Sequence, residues 1–138
     1  MNKKQTGFTL IEVLIAMAVM AILSSIALPA YQEQVRTGKR TEAQNLLLEA
    51  ASKQQRFFSD NMAFAANMGL LGYGAAGNNA QPTETGDYNV GITPVGTGYT
   101  LTATALNGQV NDGCINLTLT NTGAKGKSGT KTLAECWK

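Results

Sequence analysis

From Phe8 to Ala30 the chain is apolar almost without interruption, and a helical alternation of apolar and polar positions follows. The only charge in the first stretch is Glu12. A helix from Phe8 to Leu28 would be about 32 Å long, close to the roughly 30 Å hydrocarbon core of a bilayer. The pattern predicts one long helix from Phe8 to about Asp60. Pro29 lacks an amide hydrogen and crowds the preceding turn, so a kink is expected there. Gly38 is a milder weak point. Beyond Pro29, Tyr31, Val35, Ala43, Leu46, Ala50 and Phe57 fall within about a 120° arc at helical spacing. Arg36, Lys39, Arg40, Glu49, Lys53 and Arg56 lie mostly outside it. This half is expected to lay its apolar face on a sheet.

Residues 61–86 show no periodicity and hold Gly69, Gly72, Gly74, Gly77 and a polar run ending at Pro82. Met68-Gly69-Leu70-Leu71 is an apolar piece suited to pin this loop to the core or to form a helical turn. Past Gly86 the period changes to two. Tyr88, Val90 and Ile92 alternate, then Tyr99, Leu101 and Ala103, then Ile115, Leu117 and Leu119. Glycine-rich and Asn-Gly turns separate them. The expectation is an antiparallel meander with one apolar face and a further strand within 124–133. Three strands alone are marginal, but against the amphipathic helix they make a two-layer core. The predicted fold class is α+β: a long N-terminal helix whose second half packs on a three- or four-stranded antiparallel sheet. The predicted divisions are an apolar helix over 8–30, its amphipathic continuation over 31–60 and a head over 61–138.

Glu12 changes this picture. A charge at the centre of a bilayer costs about 2.5–3.5 kcal/mol on insertion scales, and no residue near Glu12 carries the opposite charge. A partner that arrives later would resolve the cost. A cut between Gly7 and Phe8 would create a cationic amine on Phe8, one helical turn from Glu12 on the same face. That amine could meet its own Glu12 or that of a neighbouring chain. The second pairing would link subunits in an apolar setting, where an unpaired charge is costly.

Lys3-Lys4-Gln5-Thr6-Gly7 before Phe8-Thr9-Leu10-Ile11-Glu12-Val13-Leu14-Ile15 resembles the leader and mature N-terminus of a type IV prepilin. The resemblance implies a leader over 1–7, cleavage after Gly7 by a prepilin peptidase, N-methylation of Phe8 and a role for Glu12 in registering a subunit in a filament. The order of elements resembles the pilin fold along the whole chain. Arg40-Thr41-Glu42-Ala43 and Cys136-Trp137 resemble PilE-type minor pilins more than major pilins. The implied function is a structural subunit of a type IV pilus, serving twitching motility, adhesion and DNA uptake. The implied partners are other pilin subunits, the peptidase and the inner-membrane assembly machinery. The implied location is the inner membrane, with the head periplasmic, and then the extracellular fibre. Two other readings of the same residues stand beside it: a pseudopilin of a type II secretion system, and a membrane-anchored binding protein that never polymerises. A plain anchor or a signal peptide cut near Ala30 would also begin with an apolar run, although signal peptides have a shorter one.

Composition narrows the chemistry. The chain has 11 basic and 9 acidic residues, for a net charge of +2, and no histidine. Loss of Lys3 and Lys4 would leave 9 against 9, so there is no global case for nucleic-acid binding. The two cysteines, Cys114 and Cys136, are expected to be oxidised to each other in a chain routed across a membrane. Two cysteines without histidine make no metal site. Asp87, Asp112 and Glu135 are scattered carboxylates near turns, and no nucleophile setting appears, so neither an enzyme nor a cofactor is expected. From Asn121 onward Lys125, Lys127, Lys131 and Lys138 face one acid, Glu135. They read first as a solvated loop edge and second as a surface that attracts DNA phosphates. Gly126-Lys127-Ser128 ends like a phosphate-binding loop but lacks the upstream glycine, because position 121 is asparagine. Asn116-Leu117-Thr118 matches a glycosylation acceptor but lies in an expected strand.

Overall fold

The structure, a computed structural model, describes residues 7–137. Lys3, Lys4 and Lys138 therefore lie outside the described residues. Helix α1 (Leu10–Asn61) runs through Pro29 without a break. It is shared by two compact units divided after Val35, each described by itself below.

In the second unit, the buried face of α1 consists of Arg40, Ala43, Gln44, Leu47, Ala50 and Gln54. This corrects the expected apolar arc. Ala43 and Ala50 are buried, while Leu46 and Phe57 are only partly so. Tyr31 and Val35 are exposed, and Arg40, expected outside, is inside. The apolar arc misplaced the face because three buried positions are polar, each with its own partner. Arg40 Nη1 donates to Asp112 Oδ1 at 2.6 Å. Gln44 Nε2 donates to the Cys136 carbonyl at 2.7 Å. Gln54 bonds both the amide and the carbonyl of Ala65, each at 2.9 Å. A buried polar side chain is tolerated when its donors and acceptors are used, and these are.

The loop after α1 folds back onto the core through Met68 and Leu71, which are buried, with a 3₁₀ turn at Gly69–Leu71. Gly69 is required there, since a Cβ would overlap the Ala75 carbonyl. Phe58, Phe64 and Tyr99 form a stacked and edge-on aromatic group at the same end of the helix. Nearby, the Lys53 ammonium bonds Glu49 at 3.1 Å, lies over the Tyr73 ring and holds the Glu49 carboxyl below its ordinary value.

Five strands follow in sequence order: β1 (Ala80–Pro82), β2 (Tyr88–Val95), β3 (Gly98–Ala105), β4 (Leu117–Thr120) and β5 (Lys125–Lys127). All neighbours are antiparallel. The meander is as expected, but the count exceeds three or four because β1 forms from the segment read as loop. It is three residues long and ends in Pro82, so it carries no alternation to read, and proline suits an edge strand. Tyr88, Val90, Tyr99, Leu101, Ala103, Leu117 and Leu119 are buried against α1 and the folded-back loop. Gly96-Thr97 closes the β2–β3 hairpin, with Gly96 at φ +55° as a tight two-residue turn needs. Ile115, expected to start a strand, precedes β4 and sits at φ +51°. That is a strained position for a β-branched residue. The Asn107-Gly108 turn is a 3₁₀ segment over Asn107–Asn111.

Cys114 and Cys136 are disulfide-bonded, 22 residues apart in sequence. Closing a loop of that size restrains the unfolded chain by about 3 kcal/mol in the entropy model. The loop ends in the short helix α2 (Leu133–Cys136), started by a reciprocal capping box between Thr132 and Glu135.

Candidate assembly helix and head surfaces

In the first unit every residue from Gly7 to Gln32 is exposed. Leu10 is 78% and Ile26 69% exposed, as apolar side chains with nothing of this chain over them. A helix apolar all round needs a cover that is itself apolar: lipid, or other helices. Phe8 and Glu12 line one open concavity of this surface together with Val13, Ala16, Met17 and Met20. Phe8 and Glu12 thus stand on the same side of the helix start.

The carboxylate is not bare. Glu12 Oε2 accepts from the Thr9 amide at 2.8 Å and from the Thr9 hydroxyl at 2.7 Å. The Glu12 amide donates back to Thr9 Oγ1 at 3.3 Å. This is a reciprocal cap on the first turn of α1. The Thr-x-x-Glu spacing is a signal that reveals such a cap from sequence, although the charge of Glu12 alone does not. The cap satisfies donors but supplies no positive charge.

The candidate acids of the head turn out to hold the fold. Asp87 pairs with Lys39 at 2.8 Å. Asp112 pairs with Arg40, with side-chain exposures of 0% and 4%. Glu135 caps α2. Glu42 accepts from the Thr85 amide at 2.9 Å and hydroxyl at 2.8 Å. The Lys39, Arg40 and Glu42 contacts clamp α1 to loops of the head, and the Glu135 contact serves α2. They leave no paired, free carboxylates of the kind acid–base chemistry uses among these four.

The lysine group lies along the β5 edge. Lys125 and Lys127 stand opposite Leu119 and Leu117, so both project from the core-facing side of the sheet at its rim. Trp137 belongs to the same rim: its Nε1 donates to the Gly126 carbonyl at 2.9 Å, and Lys125 Nζ lies 5.0 Å from its ring centre. Lys131 is across the disulfide loop, with its amide on the Gly113 carbonyl. The structure thus joins Lys125, Lys127 and an indole into one edge, a link that sequence alone does not show. The Gly126-Lys127-Ser128 run forms no phosphate cradle. The Ser128 and Gly129 amides donate to Asn116 and Cys114, and Lys127 Nζ donates to the Gly129 carbonyl at 2.5 Å. The Asn116 side chain, just before β4, accepts from the Ala105 amide at the end of β3.

Comparison with known proteins covers both units. Residues 29–118 match the family described as type IV minor pilin ComP, DNA uptake sequence receptor. Residues 2–28 match the prokaryotic N-terminal methylation motif. The fimbrial protein EcpC of Eikenella corrodens is 34% identical over 82% of this chain and 80% of its own length. The type IV major pilin PilE of Neisseria gonorrhoeae is 49% identical over 43 residues, 31% of this chain and 26% of PilE. The type IV major pilin PilA of Myxococcus xanthus is 32% identical over 52% of this chain and 33% of its own length.

Proposed function

We propose a two-stage life and a DNA-receiving head for this chain, which belongs to the type IV pilin family and is a structural subunit of the pilus. The observation that carries the first part is the uncovered apolar helix with its single carboxylate. In the first stage the helix anchors the precursor in the inner membrane, with the head periplasmic. A prepilin peptidase then removes residues 1–7 and Phe8 is N-methylated. In the second stage the inner-membrane machinery moves the helix from lipid to the fibre, where neighbouring pilin helices cover it. Lipid contacts are replaced by equally apolar packing. Glu12 gains the Phe8 amine of a neighbouring subunit, a charge partner that lipid cannot offer. Intact mass measurement of chains sheared from the cell surface should show an N-terminus at methylated Phe8. A mature chain starting near Tyr31 would overturn this reading in favour of a cleaved signal peptide.

The family match over residues 29–118 supports the second part, because it is to a minor pilin described as a DNA uptake sequence receptor. The chemistry supporting it here is the rim of Lys125 and Lys127 beside Trp137, with Lys131 on the same loop. Ammonium groups neutralise phosphates and release counterions, and an indole offers a stacking face. The affinity of the full chain for duplex DNA should fall with salt. Changing Lys125→Gln and Lys131→Gln together should flatten the log–log slope by roughly two units, about one for each phosphate no longer neutralised. An unchanged slope would remove this edge from the DNA interface.

A further inference from the structure

One face of the head serves neither the clamp on α1 nor the basic rim. Alternation along the strands puts Asn89, Gly91 and Thr93 of β2 on the side opposite the core, with Thr100, Thr102 and Thr104 of β3 and Thr118 and Thr120 of β4. Register sets Thr93 beside Thr100 and Thr100 beside Thr120; Thr102 lies beside Thr118, and Asn89 beside Thr104. These positions carry hydroxyls, one amide and no charge. Gly91 has no side chain among them, and the gap forms part of a concavity of about 360 Å³. Asn89, Thr93, Thr102 and Thr104 line it with polar groups, and Ala80 and Leu106 add apolar surface. Asn89 Oδ1 is enclosed and has no hydrogen-bond partner among the described residues. A covered acceptor without a partner weakens a fold, and no contact within the head accounts for an amide at this position.

We propose that this concavity is a subsite for a neutral saccharide, taking one pyranose ring of a surface or matrix glycan. The lining decides the class. A phosphate or carboxylate would need a cation, and Lys125 and Lys127 project on the other side of the sheet. An added peptide strand needs an open sheet edge, and β2 and β3 are interior strands. A wholly apolar ligand would leave the threonine hydroxyls unpaired. A sugar presents hydroxyls that donate to and accept from Thr93, Thr102 and Thr104, with the Asn89 side chain in the wall beside them. Its C–H face suits Leu106 and Ala80. The volume is near the lower end for small-ligand sites, which limits the subsite to one ring.

The test uses the full chain with methyl-labelled threonine and leucine in a zwitterionic detergent, because a maltoside headgroup would itself compete. Methyl glycosides of galactose, glucose, N-acetylgalactosamine and N-acetylglucosamine are added to tens of millimolar. At least one should produce saturable shifts at Thr93, Thr102, Thr104 and Leu106. Thr102→Val combined with Thr104→Val keeps shape and strand preference while removing two hydroxyls, and should weaken binding roughly tenfold or more. Gly91→Leu fills the gap and should abolish binding. Its backbone is not left-handed, but its Cβ comes within 3.3 Å of the Asn79 carbonyl, so this variant counts only with an unchanged amide spectrum, and the threonine pair tests the site without that contact. Absence of shifts with every glycoside overturns the proposal. So do shifts that survive Gly91→Leu, and so do shifts of the same methyls on raising protein concentration without sugar, which would assign the face to a second copy of the chain.

Discussion

Replacing Arg40 with methionine is expected to lower the stability of the head by about 3–5 kcal/mol, since it leaves a buried carboxylate without its cation. Asp112 has no exposed side-chain surface, and its Oδ1 accepts from Arg40 at 2.6 Å. Its other oxygen is 3.4 Å from the Cys114 amide, a weak substitute for a guanidinium. Arg40 Nη2 also donates to Thr37 at 2.8 Å, so the arginine is fixed on both sides. The double variant Arg40→Met with Asp112→Leu should recover much of the stability, because apolar isosteres of a buried ion pair often fold as well as the pair. Lys39→Met is the milder comparison: that lysine is 29% exposed although its partner Asp87 is only 8% exposed, so a smaller loss than for Arg40→Met is expected. Denaturant midpoints followed through Trp137, the only tryptophan, measure all three. Equal destabilisation by Arg40→Met and Lys39→Met would mean that burial does not govern this pair.

Glu12→Leu is expected to insert into the membrane at least as well as the native chain and yet to be nearly absent from fibres. The substitution removes a charge that disfavours insertion, by about 2.5–3.5 kcal/mol at a helix centre and by less at Glu12 in the first turn. It also removes the only anion in the apolar stretch that could meet the Phe8 amine of a neighbour. The Thr9 cap adds a second variant that separates two roles. Glu12→Gln keeps an acceptor at the third helical position, so the cap persists, but it has no charge. If ion pairing drives assembly, Gln should fail in fibres like Leu. If capping is the whole role, Gln should assemble and Leu should not. Quantifying each chain in membranes and in sheared fibres distinguishes these outcomes. Native fibre levels for Glu12→Leu would end the assembly role of this carboxylate.

Local patterns carried a good deal of this protein. The apolar run before Pro29, the period-two segments after Gly86 and the two late cysteines are each short-range facts about the chain. Each led to an element the structure contains: α1, the antiparallel meander and the Cys114–Cys136 bond. The Thr9–Glu12 cap is equally local, yet it went unread, because Glu12 stood out in the sequence only for its charge.

The buried face of α1 was not legible, and neither were β1 and the neutral concavity over Gly91. Arg40 reads as a surface residue until Asp112 arrives from 72 positions away, and Gln44 does so until Cys136 arrives from 92. A three-residue strand exists only because β2 offers it partners. The gap at Gly91 exists only because Thr102 stands beside it on β3. Sequence by itself determined the elements whose signal is a periodicity within one segment, because burial of a repeated apolar face follows from spacing alone. Tertiary structure decided the features made by two distant segments together, because the cost of a buried charge, an edge strand or an empty face depends on what comes to lie against it.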